Sequence, residues 1–102
     1  MISFKPGVDV AGIRPEIMLA LLVAQGAYAP YDVIVTSVRD GKHSLTSLHY
    51  AGQAVDLRTR HVPDDQHQAI RDRLGDALTI DYDVLLEADH IHVEYQPRRR
   101  TP

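Results

Sequence analysis

The chain contains no cysteine. A disulfide frame is therefore excluded, and so is any thiolate metal site of the zinc-finger type. Any metal here must be held by His, Asp or Glu. Tryptophan is also absent, and one Phe and five Tyr leave little aromatic platform for stacking on sugars. There is no basic excess: eleven Lys and Arg against fourteen Asp and Glu give a net charge of −3 with His neutral. A general nucleic-acid binder needs a basic face for its phosphate contacts, so no nucleic-acid partner is expected. The only concentrated positive charge is Arg98-Arg99-Arg100, close to the end. No run approaches the roughly 20 apolar residues of a membrane span, so no membrane insertion is expected; the longest apolar stretch is Ile17 to Ala24. The opening residues, Met1 to Gly7, carry no signal-peptide pattern. Synthesis in the cytoplasm is expected, with any action outside the cell depending on release by other means. Internal repeats and low-complexity tracts are missing as well.

What is present fits one compact domain, residues 1–102, with 96–102 expected to fray: 102 residues, 44% apolar and 25% charged. A domain this short buries only about 60–70% of its unfolded surface, so a bound ion would add useful stability. Residues 1–12 read as extended or looped, with a turn at Pro6-Gly7. Ile13, Ile17, Ala20, Leu21 and Ala24 recur at helical spacing. Leu19, Leu22 and Val23 widen that stripe, so the helix is expected to be buried on most sides. Pro15 suits its first turn and Gly26 its end. Asp32 to Ser37 is β-branched and reads as a buried strand, with a turn at Asp40-Gly41. Residues 43–52 are polar and broken. Ala54 to Arg58 alternates as a second strand. Pro63, Asp64 and Asp65 open a second helix with the stripe Ile70, Leu74 and Leu78, its acidic start suited to the helix dipole. Tyr82 to Leu86 and Ile91 to Tyr95 read as two further strands, joined by a hairpin turn at Glu87-Ala88-Asp89-His90. Short connections between strands favour antiparallel pairing, hence α+β.

Six histidines stand in this chain, and they cluster. His43 and His49 flank one loop, His61 and His67 lie around the start of the second helix, and His90 and His92 are two apart. Strand alternation puts His90 and His92 on one face and Ile91 on the other. Asp56 interrupts the apolar run of its strand, and a carboxylate buried there without a partner is costly. It can point to solvent, pair with Arg58 or Arg39, or face a cation. Two His and one Asp make a three-ligand set with the fourth position open, the arrangement of a catalytic rather than a structural zinc. Such a cation activates water near neutral pH and polarises a carbonyl. A general base is then required beside the water, and Glu87 and Asp89, just before the last strand, are the candidates.

Ser47-Leu48-His49-Tyr50-Ala51-Gly52-Gln53-Ala54-Val55-Asp56 has the form S-x-H-x-x-G-x-A-x-D. Together with His90-Ile91-His92 downstream, it resembles the zinc DD-peptidases that cleave D-alanyl bonds in bacterial cell walls. It is also similar to the signalling domain of hedgehog proteins, which shares their fold. The matched motifs lie between residues 39 and 95. The resemblance implies an α+β domain with a central antiparallel sheet flanked by helices, holding one Zn2+ through His49, Asp56 and His92. Asp89 stands three residues before His92, the peptidase spacing for the catalytic carboxylate, usually a Glu. Glu87 is a Glu at an unfamiliar offset, five before. Asp89 is preferred. Arg39 corresponds to the arginine that pairs with a substrate carboxylate in some of these peptidases, and a guanidinium fork suits that group. Ser47 is placed to hydrogen-bond substrate, and His90 to orient the water or polarise the carbonyl from beside the ligands. Gly52 permits the bend between His49 and Asp56, and His43 receives no role.

The activity implied is that of a zinc metallopeptidase, a hydrolase of peptide bonds in peptidoglycan at or near D-alanine, as carboxypeptidase or endopeptidase. Peptidoglycan stem peptides are the partner, and a monomer is the expected state. A short chain without an export signal suits a bacteriophage or prophage enzyme that acts in lysis or from a virion. The alternative is a non-catalytic, zinc-stabilised binding or virion module of the same fold. A metal-free fold with scattered histidines is the third reading. The chain departs from the family in having no wall-binding module and no tryptophan near the last ligand.

Overall fold

The computed structural model describes residues 1–40 and 53–97, with the side chains of residues 39, 40 and 53 outside that description. Five strands, β1 (Ile2–Phe4), β2 (Val33–Asp40), β3 (Gln53–Arg58), β4 (Tyr82–Leu86) and β5 (His90–Tyr95), form one sheet in the order β1-β2-β3-β5-β4. Two helices, α1 (Pro15–Tyr28) and α2 (His67–Ala77), complete an α+β fold.

The sheet is mixed rather than antiparallel throughout. β1 runs parallel to β2, with Ile2 opposite Val33, while β2–β3, β3–β5 and β4–β5 are antiparallel. The stretch 1–12, expected to be extended or looped, thus contains an edge strand at Ile2–Phe4, too short for periodicity to announce. The helices do not flank the sheet from two sides. They contact one another, α1 also meeting β2, β3 and β5, and α2 meeting β4. The core lies on that single side, where Val33, Val35, Val55, Leu57, Val84, Ile91 and Val93 meet Ile17, Leu21, Ala24, Ile70 and Leu74.

Local chemistry explains the elements. Pro15 occupies the first turn of α1, where no backbone N–H is needed. The helix passes through Gly26 and ends at Ala29, whose extended backbone is what a following proline, Pro30, enforces. Ile17, Ala20, Leu21, Ala24, Ala27 and Tyr28 are buried, yet Met18, Leu19 and Leu22 are exposed. Of the residues that widen the stripe, Leu19 and Leu22 thus face outward, against the expectation of burial on most sides, while Val23 packs against the core. The second helix begins as a 3-10 turn over Asp64–Gln66 before α2 proper. Arg73 donates from Nε and Nη2 to the Ala27 carbonyl, and Arg71 Nε to the Val84 carbonyl, tying α2 to α1 and to β4. The Glu87 N–H donates to the His90 carbonyl at 2.8 Å, closing the β4–β5 hairpin at the expected place.

Strand alternation then fixes the second face. With Val55, Leu57, Ile91 and Val93 turned to the helices, Asp56, His90, His92 and Glu94 occupy the other side. A bulge between Val35 and Ser37 inserts one extra residue in β2. Its effect is to return Val38 to the core while setting Ser37 opposite Asp56.

Candidate functional site

Asp56 and His92 are register partners on β3 and β5, and Leu85 on β4 continues the same row. His92 Nδ1 lies 2.8 Å from Asp56 Oδ1. Asp56 is only 5% exposed, so the solvent-facing reading of this carboxylate is excluded. Burial of a charge is tolerated when it is paired and hydrogen-bonded. Two residue pairs along, on the same face, His90 Nε2 stands 3.7 Å from the same Asp56 oxygen. Two imidazoles from one strand thus converge on one carboxylate of its neighbour.

Each imidazole is held from behind by a second carboxylate. His90 Nδ1 lies 2.7 Å from Asp89 Oδ1, and His92 Nε2 lies 3.2 Å from Glu94 Oε1. The Gln96 side-chain amide in turn donates to Glu94 Oε2. The result is a line of contacts, Asp89, His90, Asp56, His92, Glu94, Gln96, in which every step but the 3.7 Å approach of His90 to Asp56 is a hydrogen bond. Burial lowers the His92 pKa, but hydrogen bonds to Asp56 and Glu94, reinforced by their charges, outweigh it and leave the imidazole above its ordinary value. The hydrogen bond from His90 holds the Asp89 carboxyl below the usual carboxylate range.

Of the residues expected at the site, Asp56, His92 and His90 are brought together. Asp89 joins them through His90 but is itself largely exposed. Glu87 is exposed at the same hairpin and contributes its backbone N–H to the turn. Arg39 lies on β2 opposite Ala54, two register steps from the Ser37–Asp56 pair. Ser47 and His49, with His43 and Gly52, lie outside the described residues. His61 and His67 are accounted for elsewhere. His61 Nε2 donates to the Asp32 carbonyl at 2.7 Å and its ring stacks on Tyr28, while His67 Nε2 donates to the Val62 carbonyl at 2.8 Å. Glu94 was not anticipated. The signal for it was the alternation that paired His90 with His92, which runs on to residue 94.

Among the described residues no group of three His, Cys, Asp or Glu is arranged to hold a metal ion. The pair Asp56–His92 nonetheless has the donor chemistry of a zinc site, one carboxylate oxygen and one ring nitrogen on rigid neighbouring strands. Zinc donors at about 2.0–2.1 Å in a tetrahedron stand about 3.3 Å apart. Opening the 2.8 Å contact by about half an ångström would meet that spacing. The two residues therefore fit two of the three ligand positions. A cleft of about 340 Å3, lined by Lys5, Asp9, Thr36 and Ser37 among others, opens along β2 beside the strand position opposite Asp56. Comparison with protein-family models, with curated proteins and with solved structures gives no match for this chain.

Proposed function

We propose that this chain is a zinc metallopeptidase that hydrolyses peptide bonds at or near D-alanine in the stem peptides of bacterial peptidoglycan. The observation that supports the reading is the convergence of His92 and His90 on the buried Asp56, on the sheet face away from the helices. The S-x-H-x-x-G-x-A-x-D pattern adds His49 as the third ligand to Asp56 and His92. When bound, zinc supplies a Lewis acid for the scissile carbonyl and lowers the pKa of a water toward neutrality.

The chain's own residues do the rest. Asp56 and His92 hold position because both sit on paired strands inside one sheet. Asp89 accepts the Nδ1–H of His90, which leaves the Nε2 lone pair turned toward Asp56. His90 Nε2 accepts the proton of the attacking water and delivers it to the leaving amine, with Asp89 stabilising the imidazolium between the two transfers. Asp89 acts through His90 in this scheme, whereas Glu87 remains a solvated acid of the turn. Arg39 and Ser47 bind the substrate peptide, the guanidinium taking a free carboxylate where the cut is a carboxypeptidase cut. The enzyme reaches the wall after release from the producing cell or from a virion.

Elemental mass spectrometry of the purified protein tests the metal first. About one zinc per chain is expected, lost in His49→Ala and in His92→Ala. Muropeptide digestion followed by chromatography tests the chemistry, and Asp89→Ala is expected to slow release of D-alanine or of new amino termini by about 10²–10⁴-fold. Zinc without turnover would identify the binding module instead. A protein that takes up no zinc at neutral pH would remove both readings.

A further inference from the structure

Glu94 lies outside the motif that points to the zinc ligands, yet it makes a contact none of them can make. It follows His92 by two residues on β5 and shares its face. The two nitrogens of the His92 ring are committed to different carboxylates: Nδ1 to Asp56 at 2.8 Å, Nε2 to Glu94 at 3.2 Å. Glu94 is itself held, because the Gln96 amide donates to its second oxygen and the Gln96 N–H donates to the Asp81 carbonyl at 2.6 Å. The neighbouring pair is arranged the opposite way round. Asp89 takes Nδ1 of His90, so His90 turns Nε2 toward Asp56.

We propose that Glu94 is a positioning residue that selects the ligating nitrogen of His92, accepting the Nε2–H so that Nδ1 offers its lone pair to a zinc ion shared with Asp56. This rests on the zinc reading given above. A neutral imidazole carries one ring proton, and the carboxylate that accepts it decides which nitrogen is left free. Without metal, Asp56 and Glu94 compete for that proton from opposite ends of the ring. A cation between Asp56 and His92 displaces any proton at Nδ1, and Glu94 is then the acceptor for the one that remains. A carboxylate behind a ligating histidine fixes the ring and increases its basicity.

The test uses the full chain labelled with 15N-histidine, loaded with one equivalent of zinc, and read by two-bond 1H–15N correlation. His92 is expected to be protonated at Nε2 and metal-bound at Nδ1. Zinc affinity is measured in parallel by chelator competition. Glu94→Ala is expected to weaken zinc binding by about 10–100-fold. Glu94→Gln, whose amide oxygen still accepts the Nε2–H, is expected to recover part of that loss, which a purely structural role would not produce. Zinc bound through Nε2 of His92, or equal affinity in wild type and in both Glu94 variants, overturns the assignment. Should Glu94→Ala fail to fold, the wild-type nitrogen assignment and Glu94→Gln decide the question. If the wild type binds no zinc at all, this proposal and the zinc reading fall together. If zinc binds but ignores Glu94, only the role of Glu94 is lost.

Discussion

Asp56 has two histidine rings turned onto one oxygen, and its removal takes the hydrogen-bond partner from His92 Nδ1. In chelator-treated protein Asp56→Ala is expected to lower stability by about 1–3 kcal/mol, the usual cost of leaving a buried polar partner unsatisfied. Urea unfolding with EDTA present measures this, and an unchanged midpoint would show that the histidines find other partners at no cost. Tyr28 carries a second residue-scale consequence. It is fully buried, and its hydroxyl donates to the Arg58 carbonyl at 2.9 Å. Burial pushes its pKa above the ordinary 10.0. A raised folded-state pKa means that the stabilisation is complete below pH 10.0 and is lost as pH rises beyond it. Tyr28→Phe should therefore be less stable than wild type by about 1 kcal/mol at neutral pH. That gap should narrow as pH climbs past 10, followed by denaturant midpoints from pH 7 to 11; a constant gap would contradict the sign. At this scale Asp56 was legible because a carboxylate interrupts an apolar strand, and His92 because His-x-His puts two imidazoles on one face. Glu94 was not, since a lone Glu near a strand end looks solvated until its neighbour two residues back is known to be a half-buried histidine. The contact of Asp89 with His90 was equally hidden, because adjacent residues in a turn follow no period.

At the scale of elements, periodicity located both helices and four of the five strands, and failed where something other than periodicity decides. Gly26 reads as a helix stop, but a glycine ends a helix only if the chain needs a positive φ there. The residues with positive φ among those described are Gly7 and Gly12. α1 continues through Gly26 until Pro30 intervenes. Met18, Leu19 and Leu22 look like core by composition, but α1 has one sheet and one helix to pack against, both on the same side. The bulge in β2 left no mark in Val-Ile-Val-Thr-Ser-Val, because an extra β-branched residue looks like continued strand. One substitution follows from the Gly26 result. A Cβ built on Gly26 meets nothing within 4 Å, so Gly26→Ala adds a better helix former without strain. A gain of about 0.5–1 kcal/mol is expected. The control is Gly75→Ala in α2, where a Cβ would stand 2.8 Å from Arg71 Nη1 and disturb the arm that donates to Val84. Its gain should be smaller or reversed. Equal gains in thermal unfolding would show that Arg71 moves aside freely.

For the whole molecule, the order of elements was enough to establish α+β but not the arrangement of the sheet. Chain order does not say that β1, three residues at the start, crosses to lie parallel to β2, nor that both helices crowd one face. That one-sidedness leaves the opposite face of β3 and β5 to Asp56, His90, His92 and Glu94. The hydrophobic core on the helical side is that of a chain of 102 residues, and domains of this size are only marginally stabilised by burial. Zinc at the opposite face would bind the folded state and not the unfolded one, and so add stability by mass action. Free zinc at 100 times its dissociation constant contributes about 2.7 kcal/mol. In a domain of about 100 residues each kcal/mol raises the melting temperature by about 4–8 °C, so saturation should raise it by roughly 10–20 °C. Scanning calorimetry of the zinc-loaded and EDTA-treated protein measures this directly. His49→Ala should melt at one temperature with or without zinc, and Glu94→Ala should regain the shift only at about 10–100-fold higher zinc. Coincident melting curves for loaded and chelated wild type would mean that the paired carboxylates and imidazoles are a hydrogen-bonded network complete in itself, with no metal in its stability.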